Sequence, residues 1–279
     1  MPRLLVIDAY APEGRAALRG AGGTEAGLLY QNLLQRLSPE SEIEIAYPAD
    51  PDPAIPSGAE LTGYSGMVWT GSSLTIHHDD DGRVQRQIEL ARTAYKAGVP
   101  SFGSCWAAQV AVVAAGGRCA PSPNGREFGV SRQIELSAAG RSHPLYSGKT
   151  PVFDALTSHQ DEICELAAGA TVLASNDWSP VQAVSIEHGA GRFWAVQYHP
   201  EFDLHEVASL CRLRRQELVE QGTFPDLAAA DAYIESLETL HRDPARRDLA
   251  DSLGLSAAVL DEDVRTREVR NWLDGLHAP

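Results

Sequence analysis

The sequence predicts an α/β fold: a mostly parallel, doubly wound central sheet, a smaller antiparallel β part and a helical C-terminal appendage. Three observations predict it. Strand-length apolar runs at residues 4–7, 66–70 and 99–102 are separated by segments of helical composition, as for strands buried on both faces of a parallel sheet. Between residues 128 and 198 strand-like segments follow one another with few helical signals. From Asp203 the chain turns helical and charged.

The elements follow in order. Residues 4–7 are an all-apolar strand, and residues 24–37 a helix with Leu28, Leu29, Leu33, Leu34 and Leu37 at helical spacing. Residues 42–47 alternate Ile43, Ile45 and Tyr47 with polar neighbours, a second strand, and a Pro/Asp-rich loop follows at 48–56. Residues 66–70 are a third strand running into Gly71-Ser72-Ser73, residues 83–97 a helix and residues 99–102 a fourth strand. Right-handed crossovers put the ligand site at the carboxyl ends of such strands, where Gly71 and Cys105 fall. Further strands are expected at 128–136, 152–156, 171–174, 181–187 and 192–198, the last two joined by a hairpin at Gly189-Ala190-Gly191. An amphipathic helix at 204–221 presents Val207, Leu210, Leu213 and Leu218. Shorter helices follow at 226–240, 245–253 and 261–276, with Asp243-Pro244 and Ser256 as start signals. The chain divides into a domain at 1–210 and a helical extension at 211–279, the latter suited to homo-oligomer contacts or docking.

Composition narrows the function. With 279 residues, 43% hydrophobic and 22% charged, the chain is of ordinary globular type. Its net charge of −15 disfavours nucleic acid and anionic membranes as partners, since both would repel it. Four cysteines lack paired spacing and read as reduced thiols. The apolar run near the start is too short for a signal segment, and no stretch approaches membrane-spanning length. A cytoplasmic protein is expected.

Two stretches carry chemistry. In Gly103-Ser104-Cys105-Trp106-Ala107-Ala108-Gln109 a short strand turns at once into a helix, with small residues two positions either side of Cys105. Such a turn crowds its backbone and lifts the central side chain to the sheet edge beside the first helical amides, which favour a thiolate and a developing oxyanion. A lone buried cysteine reads more simply as packing. The second stretch, His199-Pro200-Glu201, closes an apolar strand. Two residues apart in extended backbone, the imidazole and carboxylate share one face, as a base and its orienting group require. His77-His78-Asp79-Asp80-Asp81 has metal-ligand residue types, but it precedes a helix whose start acidic residues cap. No metal or cofactor is expected.

Together these stretches resemble the class I glutamine amidotransferase family, and most of all the group related to the amidotransferase domain of GMP synthase, over roughly residues 4–210. The family's Gly-x-Cys-x-Gly-His-Gln corresponds to Gly103 through Gln109, and its His-Pro-Glu to His199 through Glu201. The resemblance implies a flavodoxin-like three-layer core, with Cys105 as nucleophile, His199 as general base and acid, and Glu201 as orienting carboxylate. It also implies an oxyanion hole from the Gly71 and Trp106 amides, and substrate contacts from Ser73, Gln109, Ser158 and His159. Ser158-His159-Gln160-Asp161 resembles the segment lining the amino-acid end of the substrate, and Arg126-Glu127-Phe128-Gly129 a supporting glutamate motif. Ala107 and Ala108 replace a glycine and a histidine of the family, and Gly71-Ser72-Ser73 stands where Gly-Pro-Gly is usual. The implied activity is hydrolysis of the γ-amide of L-glutamine through a glutamyl thioester. No ATP-pyrophosphatase motif or P-loop is present, so a synthetase receiving the ammonia would be a separate subunit. The departures also admit a stand-alone hydrolase of another γ-glutamyl amide or peptide, and the helical tail admits a non-catalytic regulatory subunit.

Overall fold

Alternation along the first strand sets the layers. The computed structural model describes residues 1–78 and 80–276. In β1 (Arg3–Ile7) Leu4 and Val6 face one side while Leu5 and Ile7 face the other, and all four are buried. After it come α1 (Pro12–Gly20), α2 (Ala26–Leu37), β2 (Glu42–Ala46), α3 (Gly58–Leu61), β3 (Gly66–Trp69), α4 (Gly82–Ala97), β4 (Ser101–Ser104) and α5 (Trp106–Ala114). The β-rich half follows as β5 (Arg118–Pro121), β6 (Glu127–Leu136), α6 (Ala138–Ser142), β7 (Val152–His159), β8 (Asp161–Glu165), β9 (Ala170–Ser175), β10 (Ala183–His188) and β11 (Gly191–Val196). The chain closes with α7 (Leu204–Glu220), α8 (Leu227–Arg242), α9 (Arg247–Ser252), α10 (Ala257–Leu260), α11 (Glu262–Arg265) and α12 (Arg267–Leu276).

The main sheet has nine strands in the order β2-β1-β3-β4-β11-β10-β9-β6-β7. The first five are mutually parallel and the remaining four antiparallel. The antiparallel strands therefore extend the parallel sheet edge to edge, while β5 and β8 form a separate two-stranded sheet. On one face Leu5, Ile7 and Trp69 pack with Ile88, Ala91, Val110 and Ala111 of α4 and α5. On the other, Leu4, Val6 and Phe102 pack with Tyr30 and Leu33 of α2 and with Val269, Trp272 and Leu273 of α12. A methyl on Gly66 would sit 2.9 Å from the Trp272 ring, so the last helix lies directly on β3. Burying these side chains stabilises by about 1.5–3 kcal/mol each. Residue 210, the expected domain border, falls within α7, whose inner side joins a third core with Ile234, Leu237 and Leu240 of α8.

Several elements differ from the sequence-based expectation. The fourth strand begins at Ser101, not residue 99, because Pro100 has no N–H for the ladder; its carbonyl instead accepts from Met67 N–H at 2.9 Å. Strand β7 runs on through Thr157-Ser158-His159, where polar side chains hide the alternation. The α1 helix, with Pro12, Gly14 and Gly20, and the Pro-ended β5 have weak local signals. The expected 261–276 helix is broken at Thr266 into α11 and α12.

Candidate active site

The parallel pairing of β4 with β11 brings the two chemical stretches together. Ser104 pairs with Val196, so Cys105 begins one residue past one strand end and His199 lies three past its neighbour's. Cys105 N–H continues the ladder, donating to Val196 O at 2.8 Å. Cys105 itself has φ 54° and ψ −105°, a left-handed conformation that costs a non-glycine residue on the order of 1–3 kcal/mol. The elbow closes only because its neighbours are small: a methyl on Gly103 would lie 2.4 Å from Ala107 Cβ and 2.6 Å from Trp69 O.

His199 is fully enclosed, its ring stacked on Phe202 at 3.9 Å and its Nδ1 2.7 Å from Glu201 Oε1. The other ring nitrogen and the cysteine border one small gap: a methyl on Gly71 would lie 3.7 Å from His199 Nε2 and 3.8 Å from Cys105 Cβ. Burial alone would push this imidazole down, but Glu201 and Cys105 together push it up to about 10. Glu201 Oε1 also accepts from Ser104 Oγ at 2.8 Å, and that hydroxyl accepts from Tyr30 OH at 3.0 Å. Glu201 Oε2 is buried and has no hydrogen-bond partner among the described residues. The assembly can move a proton between sulfur and Nε2 while the carboxylate holds the ring.

Gly71 abuts this pair. A methyl there would lie 2.9 Å from His199 Cε1 and 3.8 Å from Cys105 Cβ. Its loop is tied down: Thr70 Oγ accepts from Ala9 N–H, while Ala9 O accepts from both Ser72 Oγ and the Gln87 amide. Gln87 in turn accepts from Trp106 Nε1 at 2.7 Å, joining the loop to the elbow helix. As the first residue of α5, Trp106 has a backbone N–H with no partner inside the helix.

A cleft of about 520 Å³ opens above the sulfur, and Ser73, Cys105, Trp106, Gln109, Ser158 and His159 all line it. Cys105 Sγ lies 3.6 Å from Ser158 O. Gln109 Nε2 donates to Asp161 O at 3.4 Å. His159 is differently placed: its Nε2 is 2.8 Å from Glu127 Oε2 and its Nδ1 3.1 Å from Asp161 O, so each ring nitrogen already faces an acceptor. Glu127 further accepts from Ser131, Asn176 and Gln182. Burial would raise this carboxyl, but His159 and the other donors hold it below its ordinary value.

The cleft also holds Arg214, which sequence reading left out of the site, and Arg126 and Asp161, which it placed only in segments beside the site. Arg126 and Arg214 line it together with Asp161, whose carboxyl burial pushes upward. Arg214 had a detectable signal. Leu213, expected on the apolar stripe of α7, is 38% exposed, while Arg214 sits in register with buried Val207, Cys211 and Leu218. His77 and His78 line the cleft, His77 Nδ1 being 3.7 Å from Asp161. Asp81 caps α4 by accepting from Arg83 N–H at 2.8 Å, while Asp79 lies outside the described residues. Among the described residues no group of three His, Cys, Asp or Glu side chains is arranged to hold a metal ion, and no helix is long and apolar enough to cross a membrane.

Residues 41–210 match the profile of the family described as glutamine amidotransferase class-I. The chain is 34% identical over 284 residues to a γ-glutamyl-L-1-hydroxyisopropylamide hydrolase of a Pseudomonas species, covering 99% of this chain and 94% of that one. It is 29% identical over 200 residues to a glutamine-hydrolyzing GMP synthase of Ralstonia pickettii, covering 69% of this chain but 34% of the synthase. The chain thus spans about a third of that synthase's length. A glutamine amidotransferase of Thermotoga maritima shares the fold with a TM-score of 0.67 at 14% identity, over 99% of this chain and 97% of that one. Another, of Methylobacillus flagellatus, does so at 0.66 and 17%, over 100% and 96%.

Proposed function

Since the chain belongs to the class-I glutamine amidotransferase family, we propose that it is a stand-alone hydrolase of γ-glutamyl amides working through Cys105, His199 and Glu201. The observation that carries the reading is the elbow cysteine beside an imidazole whose far nitrogen is 2.7 Å from a buried carboxylate. The sulfur attacks the γ-carbonyl carbon, and the oxyanion is met by the Trp106 and Gly71 amides. His199 gives its Nε2 proton to the leaving amine as the carbon–nitrogen bond breaks, leaving a γ-glutamyl thioester. A water then loses a proton to His199 and attacks the thioester, releasing glutamate and restoring the thiol. Glu201 keeps the ring oriented and balances its charge throughout.

The γ-glutamyl hydroxyisopropylamide hydrolase supports an amide of a small amino alcohol as substrate, because the likeness runs along essentially both whole chains. A second reading, glutamine hydrolysis with ammonia passed to a separate synthetase, draws on the partial likeness to GMP synthase. Steady-state kinetics on glutamine and on γ-glutamyl-L-1-hydroxyisopropylamide separate the two. The proposal expects the purified chain alone to prefer the substituted amide by at least roughly tenfold in kcat/KM, an apolar-contact scale of discrimination. A preference for glutamine would overturn it in favour of the second reading.

A further inference from the structure

Helix α7 carries an arginine on its inward stripe where packing calls for an apolar side chain. Arg214 follows buried Val207 and Cys211 and precedes buried Leu218 at helical spacing. Its Nη1 donates to Ser158 Oγ at 3.4 Å, and among the described residues no carboxylate lies within ion-pair distance of it. Arg126 faces the same cleft, donating to Glu217 Oε1 at 2.7 Å and to Gln160 Oε1 at 2.8 Å. Burial, and after it the nearby Arg214, hold the Arg126 guanidinium below its ordinary range, and the two like charges line one space. An anion between them would relieve that repulsion.

The spacing says which anion. Ser158 touches the sulfur through its carbonyl and Arg214 through its hydroxyl, so the cation stands one residue's width from the nucleophile. In a γ-glutamyl group the carboxylate lies four bonds from the reacting carbonyl and the ammonium beside it. Asp161, on the same wall and with no arginine or lysine within ion-pair distance among the described residues, suits that ammonium.

We infer that Arg214, assisted by Arg126, is a specificity determinant that holds the α-carboxylate of the γ-glutamyl substrate, beside the Ser158-to-Asp161 segment that the family resemblance already sets at its amino-acid end. This rests on the γ-glutamyl reading above. Arg214 lies beyond residue 210, where the family match ends, so this clamp is supplied by the chain's own C-terminal helices. On this account those helices complete the substrate pocket.

The test uses two chromogenic probes, γ-glutamyl-p-nitroanilide and the same compound with its α-carboxylate converted to a carboxamide. Wild-type protein is expected to favour the carboxylate probe by about 10- to 100-fold in kcat/KM, the scale of a charge-assisted hydrogen bond. Arg214→Gln should reduce that preference to less than about threefold, mainly through KM, and Arg214→Lys should recover part of it. The carboxamide probe reports whether the variant has folded. Equal losses on both probes would overturn the clamp while leaving the hydrolase reading standing. Wild-type protein that hydrolyses neither probe nor any γ-glutamyl amide would overturn the hydrolase reading itself.

Discussion

Two imidazole–carboxylate pairs stand near Cys105, His159 on the wall of its cleft and His199 beside the Gly71 loop, and they are built to opposite ends. His199 and Glu201 meet at 2.7 Å, His159 and Glu127 at 2.8 Å, and all four side chains are almost wholly buried. The difference lies in what each pair leaves unused. His159 has an acceptor at both ring nitrogens, and Glu127 takes hydrogen bonds from four side chains. His199 spends Nδ1 on Glu201 while Nε2 borders the gap it shares with Gly71 and Cys105, and Glu201 Oε2 stays without a partner among the described residues. A saturated network fixes β6, β7 and the Asn176 turn; an unsaturated one can exchange a proton. The same residue types thus serve structure or chemistry according to the valence left open.

The comparison breaks most readily at the nucleophile. Cys105→Ala and His199→Asn should each lower kcat by roughly 10,000-fold or more, as removal of one member of a cooperating set does, whereas His159→Asn should keep kcat within about tenfold. Glu201→Gln comes next, losing about 100- to 10,000-fold in kcat. Its counterpart Glu127→Gln should show its effect in denaturant unfolding, at about 1–3 kcal/mol, with the smaller change in turnover. Gly71→Ala pushes a methyl to 2.9 Å from His199 Cε1 and should cost up to about 100-fold in kcat, since small misplacements at a reacting centre have that scale; stability should change little.

The mildest test is pH. His199 stands at about 10 when folded against an ordinary value of 6.5. Because the folded value is the higher one, the charged ring's contribution to stability is complete below about pH 6.5 and is lost as pH rises through about 10. Unfolding measured across that window should show the decline in wild-type protein and a shallower one in Glu201→Gln. An identical decline in both would contradict the Glu201 assignment.

How far the sequence foretold this molecule depended on whether a signal was local. The elbow was legible because Gly103, Cys105 and Ala107 must be small and spaced by two for the turn to close. His199 and Glu201 were legible for the same reason, being two residues apart on one strand end. Their meeting with Cys105 followed from a parallel sheet. By contrast, His159 finds one acceptor in the nearby Asp161 carbonyl but the other in Glu127, which Asn176 helps hold; β6 and the turn after β9 bring these two in, and nothing near His159 announces them. Arg214 was hidden because an apolar stripe was read only from its apolar members, which assigned the position to Leu213. The C-terminal helices read as an appendage, since no local feature shows that Trp272 lies against Gly66 or that Arg214 reaches the cleft.

The central claim is that Cys105, served by His199, carries the glutamyl group. Intact-protein mass spectrometry after an acid quench of turnover on a γ-glutamyl amide addresses it directly. Wild-type and His159→Asn protein should each gain the mass of one γ-glutamyl group, mapped to the peptide holding Cys105, and Cys105→Ala should gain none. Continued amide hydrolysis by Cys105→Ala at the wild-type rate, with no adduct in either protein, would contradict the account.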